Sequence, residues 1–526
     1  MIKLNTLIIA LITLFSLNIG CNQNLTSKQK DTILIKANTG TTNEWKDTPY
    51  KLNVVYFIPK GVDSVPGYNQ RISNILLDAQ EFFAQNLDRE GFGRSSFGLA
   101  LKNDSLIDII TIHGQKGKTS YEYEGGYVNV QAELEAYYEK NPSKKYSEHY
   151  LVILPSISGN PMEPGGVPFY GTGKYCYALD YEYLDVKYLG QNNQFGMLAT
   201  KWIGGMIHEL GHGLNCPHNY GTISSNEKYG TALMGAGNYT YGKLPTFITA
   251  TSAAIFKNSQ TFSQSERTDW YEDFKLTVND IQAELVKNKI IIKGKFSSDK
   301  TIDYIGAYFD QYPYAVNLDY DAITFGVKPI NNDSLYIECP LSEFKSLEGN
   351  YELRINFIAQ NGLIKTSSFQ INFKNKIPDL SQVYRIPMND RKNWQIITYS
   401  STQSDTPITN IIDEDESSIW HSTWYPYETP HPHYFVIDRK VNTPYNYVNI
   451  FNRNNINGAV KNFKLYTSED GIQWTLVGSY TSPKIAGANY IDLGKKINGR
   501  YIKYESINSH DDIKYTHMAE FDVFLK

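Results

Sequence analysis

The chain is poor in cysteine, in net charge and in long apolar runs. Four cysteines among 526 residues cannot build a disulfide framework, so the fold must rest on apolar cores. Lys and Arg number 50 against 55 Asp and Glu, a formal net charge of −5. A protein that tracks nucleic-acid phosphates would carry a basic excess, so that class is excluded. Beyond the first twenty residues or so, no stretch is apolar enough to cross a bilayer. Internal repeats and low-complexity tracts are also missing. What is present is an ordinary folded-protein balance, 41% hydrophobic and 20% charged, with 41 tyrosines. Large amphipathic rings suit both β-rich folds and sugar-facing surfaces. The length exceeds the roughly 250–300 residues that one core can serve, so two to four domains are expected.

The N-terminus reads as an export signal. Lys3 is the basic start, Leu7 to Leu17 form a short apolar run, and Gly20-Cys21 follows. The cysteine after the apolar run resembles a bacterial lipobox, with Asn18 where Leu is usual. That resemblance implies a lipoprotein signal peptide over residues 1–20 and lipidation of Cys21. The chain would then be exported and anchored at the bacterial cell surface or outer membrane, touching the membrane through the anchor only. A plain signal peptide with an incidental Cys is the alternative. Residues 21–45 are polar and read as a tether. Cys176 and Cys216 could pair in an exported chain; three buried thiols, Cys339 included, are the other reading.

From Tyr50 onward the pattern becomes structured. Leu52–Ile58, Leu106–Ile112 and Tyr150–Leu154 are short β-branched runs, whereas Ile72–Leu87 carries apolar residues at helical spacing and Val128–Tyr138 is a second helix. Alternating strands and helices predict an α/β domain over residues 46–275. Residues 276–376 change to alternating strand segments split by turn signals such as Asn331-Asn332-Asp333, which predicts an immunoglobulin-like β-sandwich. This sandwich shows no chemistry and reads as a spacer. A third strand-rich block fills residues 377–526.

The chemistry sits in His208-Glu209-Leu210-Gly211-His212-Gly213-Leu214-Asn215-Cys216-Pro217-His218. Leu198, Ile203, Ile207, Leu210 and Leu214 recur at three- and four-residue steps, so the segment is an amphipathic helix. His208 and His212 fall one turn apart on one face, where two imidazoles can reach one zinc ion. Glu209 projects beside them and can take a proton without being a ligand. Asn215 tolerates the left-handed conformation that ends helices, Pro217 forbids continuation, and His218 follows as a third ligand. Glu227 is the nearest rival for that third place.

This stretch resembles the metzincin metallopeptidases, whose pattern is HExxHxxGxxH, with Asn215 in place of the usual Gly. The resemblance implies a zincin fold, a catalytic zinc on His208, His212 and His218, Glu209 as general base, and a Met-turn at Ala232-Leu233-Met234-Gly235. Some metzincins add a Tyr ligand two residues after the Met; here that position is Ala236. The family's substrates lie along an edge strand, for which Val167–Tyr170 through Tyr175–Tyr177 is the candidate. His113 and His149 read as structural or exposed.

In the last block, Asp413-Glu414-Asp415-Glu416-Ser417-Ser418-Ile419-Trp420 resembles the "DGDxxTxW" signature of discoidin (coagulation factor 5/8 C-terminal) domains. Tyr466-Thr467-Ser468-Glu469-Asp470-Gly471-Ile472-Gln473-Trp474 matches "YxSxDGxxW". The resemblance implies a jelly-roll β-sandwich, a carbohydrate-binding module, and a structural calcium for which Asp413, Asp415 and Glu520 supply hard oxygens. Solvated turn carboxylates are the alternative. Trp420 and Trp474 read as core; Trp424, Tyr425, Tyr427, His433 and Arg453 are the sugar-contact candidates. A metzincin-like peptidase beside such a module points to extracellular protein or glycoprotein substrates. The rivals are a surface glycan-binding adhesion lipoprotein with an inactive zincin domain, and a glycosidase, for which no separate carboxylate pair is visible.

Overall fold

The computed structural model describes residue 45 and residues 47–525, apart from 159, 161–162, 164–165, 313–319, 381, 386–388 and 454. The expected export signal and Cys21 lie outside the described residues, as does nearly all of the expected tether. Residues 41–526 form one compact unit with three apolar cores inside it. Among the described residues no helix is long and apolar enough to cross a membrane.

The first core is built on a five-stranded sheet. In spatial order the strands are Ile110–Gly117, Asn53–Lys60, Tyr150–Pro155, Tyr175–Asp180 and Gly171–Thr172. The first four are parallel and the last is antiparallel. Asn53–Ile58 and all of Tyr150–Pro155 are buried, as expected of parallel strands covered on both faces. The helix Tyr68–Arg89 buries Ile72, Ile75, Leu76, Ala79, Phe82 and Phe83, the stripe its periodicity predicts. The second helix is Gly126–Lys140. One expectation splits: Leu106–Ile112 is not one strand but Leu106–Ile107 and the start of Ile110–Gly117. At the break the Asp108 N–H turns back to the Ala100 carbonyl.

The second core lies between two antiparallel sheets. One orders Ser334–Pro340, Lys289–Ser298, Leu276–Val286 and Tyr384–Arg385; the other orders Ile323–Val327, Ile302–Tyr312, Gly349–Ala359, Ile364–Lys374 and Ile377–Asp379. Ile292, Ile305, Phe309, Ile337, Leu353 and Phe357 fill the space between them. The last strand of each sheet lies past residue 376. This sandwich is sewn to the first region through the backbone. Tyr220 N–H donates to the Ala322 carbonyl at 2.8 Å, and Thr324 N–H to the Gly221 carbonyl at 3.2 Å. Tyr304 and Ile358 of the sandwich also join the first core.

The third core packs a five-stranded antiparallel sheet against a three-stranded one. Trp420, Phe435, Phe463, Tyr504 and Phe521 fill it. Trp474, expected there, is only half-buried and lies outside the cluster.

Candidate metal centre

The helix Gln194–Gly213 carries the motif. It starts on Asn193, whose side chain accepts from Gly196 N–H at 2.9 Å, and buries Leu198, Ile203, Ile207 and Leu210. Asn215 takes φ 66°, and Cys216 N–H reaches back to the Gly211 carbonyl at 3.0 Å. The left-handed residue therefore closes the helix as its side-chain type predicts. Pro217 and His218 leave on a reversed course. Gly211 is a glycine for a reason of space: a Cβ there would meet Met234 Sδ at 2.3 Å. Met234 is buried against the motif helix.

The three imidazoles converge. His212 Nε2 lies 2.8 Å from His218 Nε2, which lies 3.2 Å from His208 Nε2. His208 Nδ1–H donates to the Leu233 carbonyl at 2.7 Å, and His212 Nδ1–H to the Cys216 carbonyl at 2.8 Å. A carbonyl can only accept, so in these neutral rings Nε2 carries a lone pair. Burial, with the neighbouring imidazoles adding to it, drives the His208 pKa down to about 3; burial also lowers that of His212. Protonation cannot relieve the crowding of nitrogens, so the cluster suits a soft-to-borderline divalent cation. Among the described residues it is the one group of His, Cys, Asp or Glu compact enough to hold a metal ion.

Glu209 stands beside the triad. Its Oε2 accepts from Gly171 N–H at 2.7 Å, which ties the carboxylate to the edge of the sheet. Burial, partly opposed by that bond, raises its pKa to about 8. The outermost strand on this side, Gly171–Thr172, lies inside the expected 167–177 segment, whereas Tyr175–Asp180 has a neighbour on both sides. Left-handed Gly173, φ 60°, folds that strand back on its neighbour. Tyr170 sits among Tyr123, Tyr127 and Tyr177 with ring centroids 5.6–6.0 Å away. His149, buried, donates through Nδ1 to the Gly213 carbonyl at 2.7 Å and bonds Tyr271 through Nε2. It braces the end of the motif helix, while His113 points outward from its strand. Cys176, Cys216 and Cys339 are all buried free thiols.

One residue at this centre was not legible in the sequence. Tyr320, from the β-sandwich, stacks on His218 with centroids 3.8 Å apart and planes 26° apart, and lies 5.8 Å from His208. Nothing in its own segment singles out one tyrosine among 41.

The distal candidates behave unevenly. Trp424, Tyr425 and Tyr427 are 48%, 66% and 83% exposed, as a contact surface requires. His433 is a correction: it is buried at the start of its strand, where Nε2–H donates to the Lys514 carbonyl at 2.8 Å, so it offers no face to a ligand. Arg453 spends Nε–H on the Asn455 carbonyl at 2.7 Å. Near it, His421 faces Trp424 and Tyr515, a grouping the sequence reading missed. The three expected calcium carboxylates do not form a group compact enough to hold a metal ion, although burial raises the Glu520 pKa and Asp413 lies close enough to add to that rise. Glu520 pairs with the buried Arg391 at 2.6 Å. Asp413 accepts from Asp415 N–H and the Ser418 hydroxyl, and Asp415 from Ser417. Glu414 takes φ 65°, which explains the Gly at that place in the discoidin signature.

Residues 395–521 match the family described as F5/8 type C domain. Three crystal structures of OgpA from Akkermansia muciniphila resemble the chain. Catalytically inactive OgpA in complex with an O-glycopeptide (glycodrosocin) substrate is 38% identical, with TM-score 0.60, over 62% of this chain and 93% of that one. Wild-type OgpA in one crystal form is 38% identical, with TM-score 0.61, over 63% and 96%. In a second form it is 36% identical, with TM-score 0.62, over 66% and 99%. The chain belongs to the family of OgpA. No curated protein matches it in sequence.

Proposed function

We propose that the chain is a zinc-dependent, metzincin-like endopeptidase that cleaves extracellular glycoproteins. The observation that carries this reading is the convergence of the His208, His212 and His218 Nε2 atoms beside the half-buried Glu209 carboxylate. His208, His212 and His218 would hold the ion, which when bound supplies Lewis acidity at the site. Glu209 then serves as proton acceptor from the attacking water and proton donor to the leaving amine. Gly171 N–H holds one of its oxygens in place. The Gly171–Thr172 edge is where a peptide backbone could add as a strand. Tyr123, Tyr127 and Tyr170 beside it offer ring faces suited to a sugar. Kinship with a protein whose substrate is an O-glycopeptide supports the same substrate class here.

Trp424, Tyr425 and Arg453 of the F5/8 type C domain would hold glycans and so keep substrate close to the active site. Residues 1–21 support export and lipid anchoring at the bacterial surface.

The test is hydrolysis of an O-glycopeptide and of its unglycosylated twin, with zinc content measured in parallel. Glu209→Gln is expected to keep the zinc and to lose about 10²- to 10⁴-fold in rate. If wild type and variant are equally inert while glycans still bind, the chain is a glycan-binding surface protein instead. The same preparation made with residues 1–21 is expected in the membrane fraction; release into the medium would refute the anchor.

A further inference from the structure

We propose that Tyr320 and the backbone that follows it are a positioning device for His218, so that the β-sandwich completes the metal centre and is no mere spacer. The inference rests on the metal reading of the triad and deepens it. The three histidines are not held alike. His208 and His212 belong to a regular helix, whose own hydrogen bonds set their Cα positions. His218 lies past the helix stop, in irregular chain, and its placement must come from its neighbours.

Those neighbours come from two sides. From the peptidase side, Asn219 N–H donates to the Met234 carbonyl at 3.1 Å, and the Asn219 side chain bonds Ser252 and Thr249, each at 2.9 Å. From the sandwich side, Gly221 and Ile323 form a parallel bridge, flanked by the Tyr220–Ala322 and Gly221–Thr324 hydrogen bonds. The Lys345 ammonium lies 3.3 Å from the Tyr220 ring centroid. Tyr320 then covers the face of the His218 ring itself. A ring under a stacked aromatic cannot swing about χ2 without losing that contact, so Nε2 stays directed at its two partners. Residues that orient a ligand in this way typically contribute 10- to 100-fold in metal affinity.

The experiment uses the full chain, stripped of metal, with zinc affinity read by competition against a chromogenic chelator. Tyr320→Ala is expected to weaken zinc binding about 10- to 100-fold, and Tyr320→Phe, which keeps the stacked ring, to restore it. A general folding defect is separated by two further readings. The unfolding midpoint of the metal-free Tyr320→Ala protein is expected to equal that of wild type. In a His218→Ala background, Tyr320→Ala is expected to add no further loss. Wild-type affinity in Tyr320→Ala, or an equal loss in the His218→Ala background, overturns the proposal. Failure of wild type itself to bind zinc would instead sink the reading of the triad on which it rests.

Discussion

Histidines cluster in two regions of this chain, and the two clusters are built on opposite principles. At the front, His208 and His212 each spend Nδ1 on a backbone carbonyl and turn Nε2 inward, where the lone pairs meet that of His218. In the distal domain, His421, His431, His433, His510 and His517 also lie near one another or in neighbouring loops. There each ring has its own carbonyl, on Ser422, Ser506, Lys514, Ser482 and Asn457 respectively. Among the described residues, none of these five joins a group able to hold a metal. Burial lowers the basicity of His208 and of His517 alike, each to about 3. Depressed basicity therefore does not distinguish a ligand from a structural ring. What distinguishes them is whether the unprotonated nitrogens share a target.

The comparison can be broken most sharply by deleting one ring from each cluster. His208→Ala is expected to abolish zinc binding and glycopeptide hydrolysis together. His517→Ala should leave the zinc-to-protein ratio at its wild-type value, whatever it does to distal stability. Metal analysis of both purified variants decides the matter, and loss of zinc from the His517 variant would erase the distinction.

A smaller effect concerns acid. Burial holds His149 at about 4 in the folded protein against 6.5 for an ordinary imidazole. The unfolded chain therefore takes up a proton first as pH falls. Stability from this group is intact above pH 6.5 and is lost progressively down to about pH 4, by about 3 kcal/mol at most. Urea titrations across that window should show the decline in the metal-free protein, and His149→Phe should flatten part of it. A wild-type stability that does not change between pH 6.5 and 4 would contradict the assigned role of His149 as a neutral brace.

The smallest expected effect is distal. Trp424→Ala with Tyr425→Ala should weaken glycan binding about tenfold and leave cleavage of a short soluble glycopeptide unchanged. Glycan-array binding and kcat/KM on that peptide separate the two. A fall in kcat/KM would mean that the distal face takes part in the reaction after all.

Local signals carried the reading far at the motif. The apolar stripe defined the helix, and the requirement for a left-handed residue made sense of Asn215. Met234 packs against Gly211, a glycine that leaves it room. Glu414 shows the same logic in the distal domain, taking the conformation that the discoidin signature assigns to Gly. What escaped the sequence was every feature made by chain segments distant from each other. Tyr320 reaches the triad only because the sandwich docks beside residues 220–221. His433 looked like a surface aromatic until its strand was buried by the loop at Lys514. The candidate edge at 167–177 does hold the outermost strand, but which part of it lies outside is decided only by the turn at Gly173. Spacing along a chain reports helix faces well; it does not report which loop will fold over which.

The Arg391–Glu520 pair has a consequence for how the distal domain meets its surroundings. A site neutralised by a mineral ion is filled by equilibrium, so dilution or a competing chelator empties it. A guanidinium supplied by the polypeptide has no dissociation constant: its counter-charge arrives with the ribosome's product and stays. One oxygen of that buried carboxylate is thus bonded to a cation that the chain itself supplies.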